Sequence, residues 1–594
     1  SASGYRMFRP LIFRAIELAS RNKGSIVPRV ILEAPTGYGK SVSAPLFYKV
    51  IKESELATSF LHVLPLRSIV RDIYLCTLLN SLGVVSSDHC GGKSPPREIS
   101  NILCEAGLTV NDLAYQMGDL LIGESVNTFN KQPLFDAKYV VTTLDSFLYN
   151  LFRVPITELF GTKKHYAVPR LRIFISAVYL DEAHMVFEEE NEASTIYTAV
   201  VKALEIIDSF KSPMLIASAT MGEKTLGTII EKMKGNIKVV RLGPQDREHG
   251  NIIEVSDNEF VEKMGRVEWR TELIKEENVV KTAEEHAHSG QKVLLVRDSV
   301  KLAVETYNEL RRRGTDVELI HGKMTRGDRE AAMKNIKNIR GGSIVVSTSV
   351  IEAGVNVSFN VLITDGSRPR SVVQRVGRIC REGECNEALI YIVENEKFID
   401  KRLLEYVRKS REMNRGICWR IPFDLPSINC KGYSQLLDLL EEPRLDIRLQ
   451  DSLDALTSPL FVSSYTINDV LREHGYALTR IGIVDLVIGD FNEVKTWRYS
   501  DFVLNGLTVP VSLIGKIAEY IEGVVVAWGE DGVEDVSLVC STSDIINNGG
   551  FNMRGFIECI RKAYKSRYMR TPIYTGILAR EDCYLKGVGL KLDT

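Results

Sequence analysis

The residues from Ala34 to Ser41 have the spacing of a phosphate-binding loop. They read APTGYGKS and follow an apolar run. Gly37 and Gly39 allow the backbone to curl so that successive N–H groups point at phosphate oxygens. Lys40 supplies a charge for the β and γ phosphates, and the Ser41 hydroxyl can ligate Mg²⁺. Because Ala34 stands where the strict pattern has glycine, the loop alone is also compatible with an ordinary strand–turn–helix.

A second, acidic motif lies far downstream of this loop. Asp181, Glu182, Ala183 and His184 follow another apolar run, residues 173–180. Each motif comes directly after a segment with the composition of a buried strand. The pair therefore predicts that the chain hydrolyses a nucleoside triphosphate with the help of Mg²⁺.

Similar apolar runs, each ending in polar residues and followed by a helical pattern, recur along the chain. They lie at residues 59–64, 139–141, 214–217, 292–296, 317–320, 343–346 and 361–364. Such runs indicate parallel sheets covered on both faces, in which ligands lie beyond the carboxyl ends of the strands. Only the first half has a phosphate loop. We therefore predict an α/β fold in which the nucleotide lies between two halves and the second half supplies arginines.

Composition limits the class of protein. With 594 residues and 44% hydrophobic content, the chain is long enough for about three or four domains. It has no apolar run of the ~18–20 residues that span a membrane and no signal-like start, so we expect a cytoplasmic protein. The net charge of −2 means that any nucleic acid must bind in a locally basic channel. The ten cysteines include no close pair of the CxxC type, so we expect buried, reduced thiols rather than an iron–sulfur cluster.

The order of seven segments resembles the sequential motifs of superfamily 2 helicases. They read APTGYGKS, LPLRS, VTTLD, DEAH, SAT, STSVIEAGVNV and QRVGRICR. The resemblance covers residues from about 30 to 385 and implies two RecA-like domains. Within that superfamily, SVIEAGVNVSFNVLITD followed by QRVGRICR is most similar to the helicase of type I CRISPR interference. The implied domains are residues 1–248 and 249–395 (RecA-like domains 1 and 2), 396–459 (helical linker, because prolines punctuate it) and 460–594 (a smaller C-terminal domain).

The resemblance also implies roles for individual residues. Glu182 would activate the attacking water, Gln374 would sense the γ-phosphate, and Arg378 and Arg381 would contact it as arginine fingers. The i, i+4, i+7 spacing of Gln374, Arg378 and Arg381 predicts that one helix face presents all three. The implied nucleotide- and Mg²⁺-binding residues are Thr36, Gly37, Gly39, Lys40, Ser41, Asp181 and Gly354. The residues implied to couple the nucleotide to the strand are His184, Ser218 and Thr220. The residues implied to line the nucleic-acid track are Pro65, Arg67, Thr143, Asp145, His321 and Thr348; each alone is more readily a capping or turn residue, and only the ensemble favours the track.

The chain departs from the family pattern at three places. Residues 8–12 lack the glutamine that reads adenine in relatives, so ATP specificity rests on the resemblance alone. Asn356 stands where many relatives have aspartate, which could weaken coupling between the strand and hydrolysis. No histidine is followed by aspartate, although the HD nuclease often fused to this helicase needs such a pair. We therefore expect the split form, with a separate nuclease subunit.

The implied function is an ATP-driven, single-stranded DNA translocase and helicase that moves 3′ to 5′ and works with a CRISPR effector complex. Motor motifs contact the backbone, so an RNA helicase or a repair helicase remains an alternative. A second alternative is an ATP-dependent clamp that remodels a nucleoprotein without unwinding. The resemblance implies that the C-terminal domain roofs the channel. Its basic residues between 554 and 570, interleaved with aromatics, suit single-strand binding, although a solvated helix face is the favoured interpretation.

Overall fold

The structure is a computed structural model. It describes most of the chain between residues 8 and 591. The described ranges are 8–20, 27–90, 95, 97–116, 134–154, 166–187, 193–352, 357–381, 383–395, 399–459, 461–475, 478–479, 483–529, 532–566 and 572–591.

A nine-stranded sheet forms the first half, residues 8–255. The strands of this half are β1 (Arg29–Glu33), β2 (Ser59–Leu64), β3 (Leu113–Gln116), β4 (Tyr139–Thr143), β5 (Ser176–Leu180), β6 (Ala193–Ser194), β7 (Met214–Ser218), β8 (Lys238–Leu242), β9 (Arg247–His249) and β10 (Ile252–Val255). The short β6 lies outside the nine-stranded sheet. Its helices are α1 (Pro10–Ser20), α2 (Ala44–Glu53), α3 (Arg67–Asp72), α4 (Arg97–Glu105), α5 (Leu144–Leu151), α6 (Ala167–Phe174), α7 (Thr195–Ser209) and α8 (Glu223–Lys232).

The strand order places the predicted motifs at one edge of this sheet. The order is β3-β4-β2-β5-β7-β1-β8-β10-β9, and every pairing is parallel except that of β9 with β10. Every residue of β2, β4, β5 and β7 is buried, as expected for a parallel sheet covered on both faces. Because β1, β7 and β5 are consecutive and parallel, the phosphate loop, the SAT turn and the DEAH motif all follow their carboxyl ends.

A six-stranded sheet forms the second half, residues 258–393. Its elements are α9 (Asn258–Gly265), β11 (Glu268–Ile274), α10 (Val279–His288), β12 (Val293–Val296), α11 (Val300–Arg312), β13 (Val317–Ile320), α12 (Arg326–Lys337), β14 (Ile344–Ser347), β15 (Val361–Asp365), α13 (Pro369–Val376) and β16 (Glu387–Val393). The strand order is β11-β16-β15-β12-β14-β13, with all pairings parallel. The prediction of two tandem parallel-sheet halves in an α/β fold is confirmed.

Residues 399–459, which we call the bridging segment, contact both halves. Its elements are α14 (Lys401–Glu412), β17 (Gly416–Cys418), β18 (Cys430–Gly432), α15 (Ser434–Leu437), β19 (Arg444–Leu445) and α16 (Ile447–Thr457). Trp419 is buried and its indole N–H donates to Thr271 Oγ1 of the second half at 2.9 Å. On the other side, β19 pairs with β6 of the first half. The stretch predicted as a helical linker thus contributes to the core between the two sheets.

A third, five-stranded sheet lies in the C-terminal part. The elements from α17 onward are α17 (Ser464–Glu473), β20 (Ile483–Ile488), α18 (Phe491–Val494), α19 (Tyr499–Leu504), β21 (Gly506–Pro510), α20 (Val511–Ile514), β22 (Ile521–Trp528), β23 (Asp535–Ser541), α21 (Thr542–Ile545), β24 (Ile546–Asn547), β25 (Gly550–Phe551), α22 (Met553–Ser566), β26 (Pro572–Ala579), β27 (Tyr584–Leu585) and β28 (Gly589–Leu590). The strand order is β21-β20-β26-β22-β23. Phe556 of α22 is buried in the core against this sheet, whereas Arg554 is exposed and paired with Glu558, as on a solvated helix face.

The cysteines correct one expectation. Eight of the ten are paired rather than reduced. The pairs are Cys76–Cys90, Cys380–Cys385, Cys418–Cys430 and Cys540–Cys559, with Cα–Cα distances of 5.4–6.1 Å. The sequence concealed them because the partners are 5–19 residues apart and meet only through the fold. Within the described ranges, no helix is both long and apolar enough to cross a membrane, and no three His, Cys, Asp or Glu side chains form a metal-binding group.

Candidate active site

The phosphate loop folds around its own lysine. Gly37 and Gly39 have φ angles of +77° and +99°, in the region that favours glycine. Lys40 is buried, and its ammonium donates to the carbonyls of Ala34 at 2.9 Å and Pro35 at 3.2 Å. Burial lowers the pKa of Lys40, while the nearby Glu182 and Asp181 act against that shift. The loop thus combines a buried cation with a glycine-rich turn of the backbone, which is the chemistry that a polyphosphate requires.

Asp181 lies at the end of β5, beside the loop. Its carboxylate is buried and accepts hydrogen bonds from Ser41 and from His62 Nε2, the latter at 3.2 Å. Burial opposes ionisation, but these hydrogen bonds and Lys40 outweigh it and lower the pKa of Asp181. A hydroxyl and an ionised carboxylate in contact are ligands that Mg²⁺ prefers. Ser41 and Asp181 therefore fit the predicted metal-binding role.

Glu182 is the more accessible of the two carboxylates. Its side chain keeps 29% of its surface exposed, and its backbone is left-handed with φ +50°. His184 Nδ1 lies 3.4 Å from Glu182 Oε2. Burial lowers the pKa of His184 to about 4, so its imidazole is neutral at pH 7. Glu182 thus combines water access with a neutral neighbour, which suits a general base.

Gln374 joins the second half to two motifs of the first. Its Oε1 accepts from Thr36 Oγ1 at 3.0 Å, and its Nε2 donates to Thr220 Oγ1 at 3.2 Å. The backbone of Gly377 approaches Thr36 so closely that a larger residue would clash there, because a Cβ on Gly377 would lie 2.7 Å from Thr36 Cγ2. The Ser218 carbonyl accepts from Ala34 N at 3.0 Å, so the SAT turn and the phosphate loop are also connected directly. The nucleotide cleft is therefore closed in this structure.

The two predicted arginine fingers occupy different environments. A Cβ on Gly37 would lie 3.3 Å from Arg381 Nε, so Arg381 packs directly against the phosphate loop. Arg378 instead donates to the carbonyls of Ile351, at 3.1 Å, and Glu352. Burial lowers the pKa of Arg378 to about 9, and Arg381 acts in the same direction.

One prediction about these residues is wrong. Helix α13 ends at Val376, so one helix face does not present Gln374, Arg378 and Arg381 together. The chain leaves the helix because Ile379 forms a β-bridge with Phe359, and the Cys380 N–H donates to Phe359 O at 2.9 Å. Arg378 and Arg381 reach the cleft from this turn instead.

Sequence reasoning missed two further residues of the site. His62 supports Asp181, as described above, and Arg370 donates to Thr220 O at 3.1 Å. A histidine inside an otherwise apolar strand was one available signal. The spacing of Arg370 and Gln374 was another, since residues at i and i+4 share a helix face.

Gly354 and Asn356 lie outside the described residues. Ile12, in the segment without an adenine-reading glutamine, is buried.

The C-terminal part covers several residues predicted to line the nucleic-acid track. Thr479 Oγ1 donates to Asp145 Oδ1 at 2.7 Å, and Arg67 Nη1 lies 3.8 Å from Asp485 Oδ1. His321 is buried, with its Nε2 2.6 Å from Val588 O. Burial lowers the pKa of His321 to about 4, so the neutral ring donates from Nε2 and accepts from Lys323 N at Nδ1.

The remaining three track residues have structural contacts in the first and second halves. Pro65 and Thr348 are buried. Thr143 caps α5 by accepting from Ser146 N at 3.2 Å. A role for these residues in nucleic-acid binding stays a prediction.

Glu33, at the end of β1, gives the site a pH-dependent stability. It accepts from Met221 N at 2.9 Å, and burial raises its pKa to about 7. Because this pKa is above the ordinary value of 4.5, the folded state loses stability as the pH rises from 4.5 to 7. Glu33→Gln should therefore raise the free energy of unfolding at pH 8 by up to about 3 kcal/mol, with little effect at pH 4.5. Thermal melts of wild type and Glu33→Gln between pH 4.5 and 8 measure this difference in stability. An equal difference at both pH values would contradict the prediction. The control is Glu231→Gln, at an exposed carboxylate, which should match wild type throughout.

Comparisons with known proteins agree with the motifs. Residues 289–384 match the family model described as CRISPR-associated nuclease/helicase Cas3, C-terminal. The chain is 24% identical over 404 residues to the CRISPR-associated nuclease/helicase Cas3 of Methanothermobacter thermautotrophicus, covering 65% of this chain and 44% of the relative. It is 22% identical over 410 residues to the CRISPR-associated helicase Cas3 of Thermoproteus tenax, covering 67% of this chain and 61% of the relative. The chain thus spans about half the length of these relatives.

Solved structures show the same fold. The crystal structure of T. fusca Cas3–AMPPNP superposes with a TM-score of 0.52 at 13% identity, covering 85% of this chain and 66% of that chain. A second crystal structure, of a CRISPR-associated protein, gives a TM-score of 0.54 at 14% identity, covering 87% and 65%. Identities this low establish the fold alone. The sequence matches and the motifs together make the chain similar to the Cas3 helicases, whose fold it shares.

Proposed function

We propose that the chain is an ATP-driven translocase that moves along single-stranded DNA and unwinds duplex DNA during CRISPR interference. The observation that carries this proposal is the closed cleft, in which Gln374 bonds both Thr36 and Thr220 while Arg381 packs against Gly37. A site shared between two halves can open and close with each nucleotide turnover. That motion converts hydrolysis into relative movement of the two sheets.

In the proposed reaction, the chain's residues position ATP and the attacking water. The phosphate loop, with Lys40 and its backbone N–H groups, holds the β and γ phosphates. Glu182 accepts the proton of the attacking water, and Arg381 stabilises the charge that develops on the transferred phosphoryl group. Mg²⁺ held by Ser41 and, directly or through water, by Asp181 would neutralise phosphate charge.

The strand is proposed to pass between the two halves and the C-terminal part. The C-terminal part contacts three residues predicted to line the track, Arg67, Asp145 and His321. A channel at this junction would have walls from all three sheets. Translocation from 3′ to 5′, recruitment by a CRISPR effector complex and cutting by a separate nuclease subunit are proposed from the resemblance to Cas3.

Steady-state ATPase assays with single-stranded DNA and single-stranded RNA test the substrate. We expect DNA to stimulate turnover and RNA to do so far less, with Lys40→Ala as the inactive control. Equal stimulation, or stimulation by RNA only, would reject the DNA assignment in favour of an RNA helicase. A strand-displacement assay tests unwinding: ATP turnover without displacement would support a nucleoprotein clamp instead.

A further inference from the structure

We propose that Arg420, in the bridging segment, is a positioning residue of the nucleotide site that fixes the phosphate loop against the arginine motif of the second half. The inference rests on the proposed ATP hydrolysis and adds a residue from outside both parallel sheets. In the sequence, Arg420 lies in none of the helicase-like motifs.

The contacts of Arg420 reach both sides of the cleft. Its Nη2 donates to the carbonyl of Thr36 in the phosphate loop at 2.7 Å. Its Nη1 donates to the carbonyl of Arg381 at 3.4 Å. A Cβ on Gly37 would lie 3.4 Å from Nη2, so the guanidinium also packs against the turn of the loop. One planar group thus bonds a main-chain oxygen from each half.

The bridging segment holds this guanidinium in place. Arg420 is buried, and the preceding Trp419 is anchored to the second half by its hydrogen bond to Thr271. Cys418, the residue before Trp419, is paired with Cys430. Downstream, Tyr433 is buried and its hydroxyl donates to Ala219 O at 3.5 Å. Arg420 is therefore built into a rigid part of the segment, which limits how far it can follow an opening cleft.

The electrostatic setting also connects Arg420 to the phosphate site. Burial is the main cause of the lowered pKa of Lys40, and Glu182 and Asp181 oppose it. The positive charges of Arg381 and Arg420 lower this pKa further. Arg420 contributes in the same way to the lowered pKa of Arg378. The charge of Arg420 therefore acts on the cations that surround the proposed phosphate position, although its hydrogen bonds go to the backbone.

The geometry assigns a specific task to this arrangement. Arg381 stabilises the transition state only if its guanidinium lies within contact distance of the γ-phosphate held by the loop. Arg420 sets that distance by bonding Thr36 O and Arg381 O together. Because a misplacement of about 1 Å can cost about 10²-fold in rate, loss of the bridge should affect kcat far more than ATP binding.

Two measurements on Arg420→Ala, Arg420→Lys and wild type test the proposal. In nucleotide-free protein, amide hydrogen exchange should increase in both residues 35–41 and residues 377–385 of the two variants. In basal ATPase assays, both variants should lose about 10–10²-fold in kcat, with KM for ATP changed less than about 3-fold. Lysine should not rescue, because one ammonium lacks the planar fork that reaches two carbonyls.

Arg415→Ala is the matched control. Arg415 lies in the same segment but donates to Asp424 at 3.2 Å and Cys430 O at 3.5 Å rather than to the cleft. It should leave exchange in the two cleft segments and kcat unchanged. Unchanged exchange in Arg420→Ala, wild-type kcat in Arg420→Lys, or a raised KM with unchanged kcat would each overturn the proposal. The exchange measurement needs no hydrolysis, so it can fail or succeed separately from the proposed function.

Discussion

Glu182→Gln should reduce the kcat of ATP hydrolysis by about 10²–10⁴-fold while leaving ATP affinity close to that of wild type. Glutamine keeps the size of the side chain but cannot accept a proton from water at neutral pH. The side chain is 29% exposed and glutamine fills the same space, so the phosphate loop keeps its shape and ATP affinity should change little. Stopped-flow binding of a fluorescent ATP analogue and steady-state turnover measure the two quantities separately.

The control for Glu182→Gln is Glu231→Gln, an exposed carboxylate on the same half. It should leave both quantities unchanged. Turnover that survives in Glu182→Gln would show that another group activates the water. Loss of ATP binding instead would mean that the carboxylate acts on the metal, since Asp181 is its immediate neighbour.

Arg381→Ala is expected to have an effect at least as large, about 10³-fold or more in kcat, because charge develops on the transferred phosphoryl group. The melting temperature should stay near that of wild type, because the Arg381 side chain is only partly buried.

Arg378→Ala should differ from Arg381→Ala in its melting temperature. Its guanidinium bonds the carbonyls of Ile351 and Glu352, so its removal leaves buried acceptors unpaired and should lower the melting temperature.

Turnover and thermal melts of Arg381→Ala, Arg378→Ala and the exposed Arg340→Ala separate these roles. Arg340→Ala should match wild type in both measurements. If Arg381→Ala retained wild-type kcat, Arg381 would not be the finger. If Arg378→Ala alone lost turnover without loss of stability, the assignment of the two arginines would have to be exchanged.

The strands and the motifs that follow them could be predicted because their signals are local. An apolar run such as Ser59–Leu64 indicates a strand by composition alone, and the structure has β2 over the same residues. The convergence of the phosphate loop, DEAH and SAT then follows from one rule, that the carboxyl ends of parallel strands meet at one edge.

What the sequence could not reveal depends on long-range contacts. The end of α13 at Val376 is set by pairing with Phe359, outside the helix. The role of His62 depends on Asp181, which is 119 residues away in the chain. The prolines between residues 422 and 459 predict a linker over residues 396–459, but they do not show that Trp419 in this stretch is buried. Composition indicates turns, but it does not show what packs against them.

The bond between Arg420 and Thr36 spans 384 residues of chain, which has a consequence for biosynthesis. At a synthesis rate of ~5–20 residues per second, roughly 20–80 s separate the emergence of the phosphate loop from that of the arginine which bonds it. During that interval the first half can fold as a unit, but its cleft lacks the partner groups from the second half and the bridging segment. The complete nucleotide site therefore forms only late in synthesis, and a nascent chain stopped before residue 420 would carry a phosphate loop without its closing contacts.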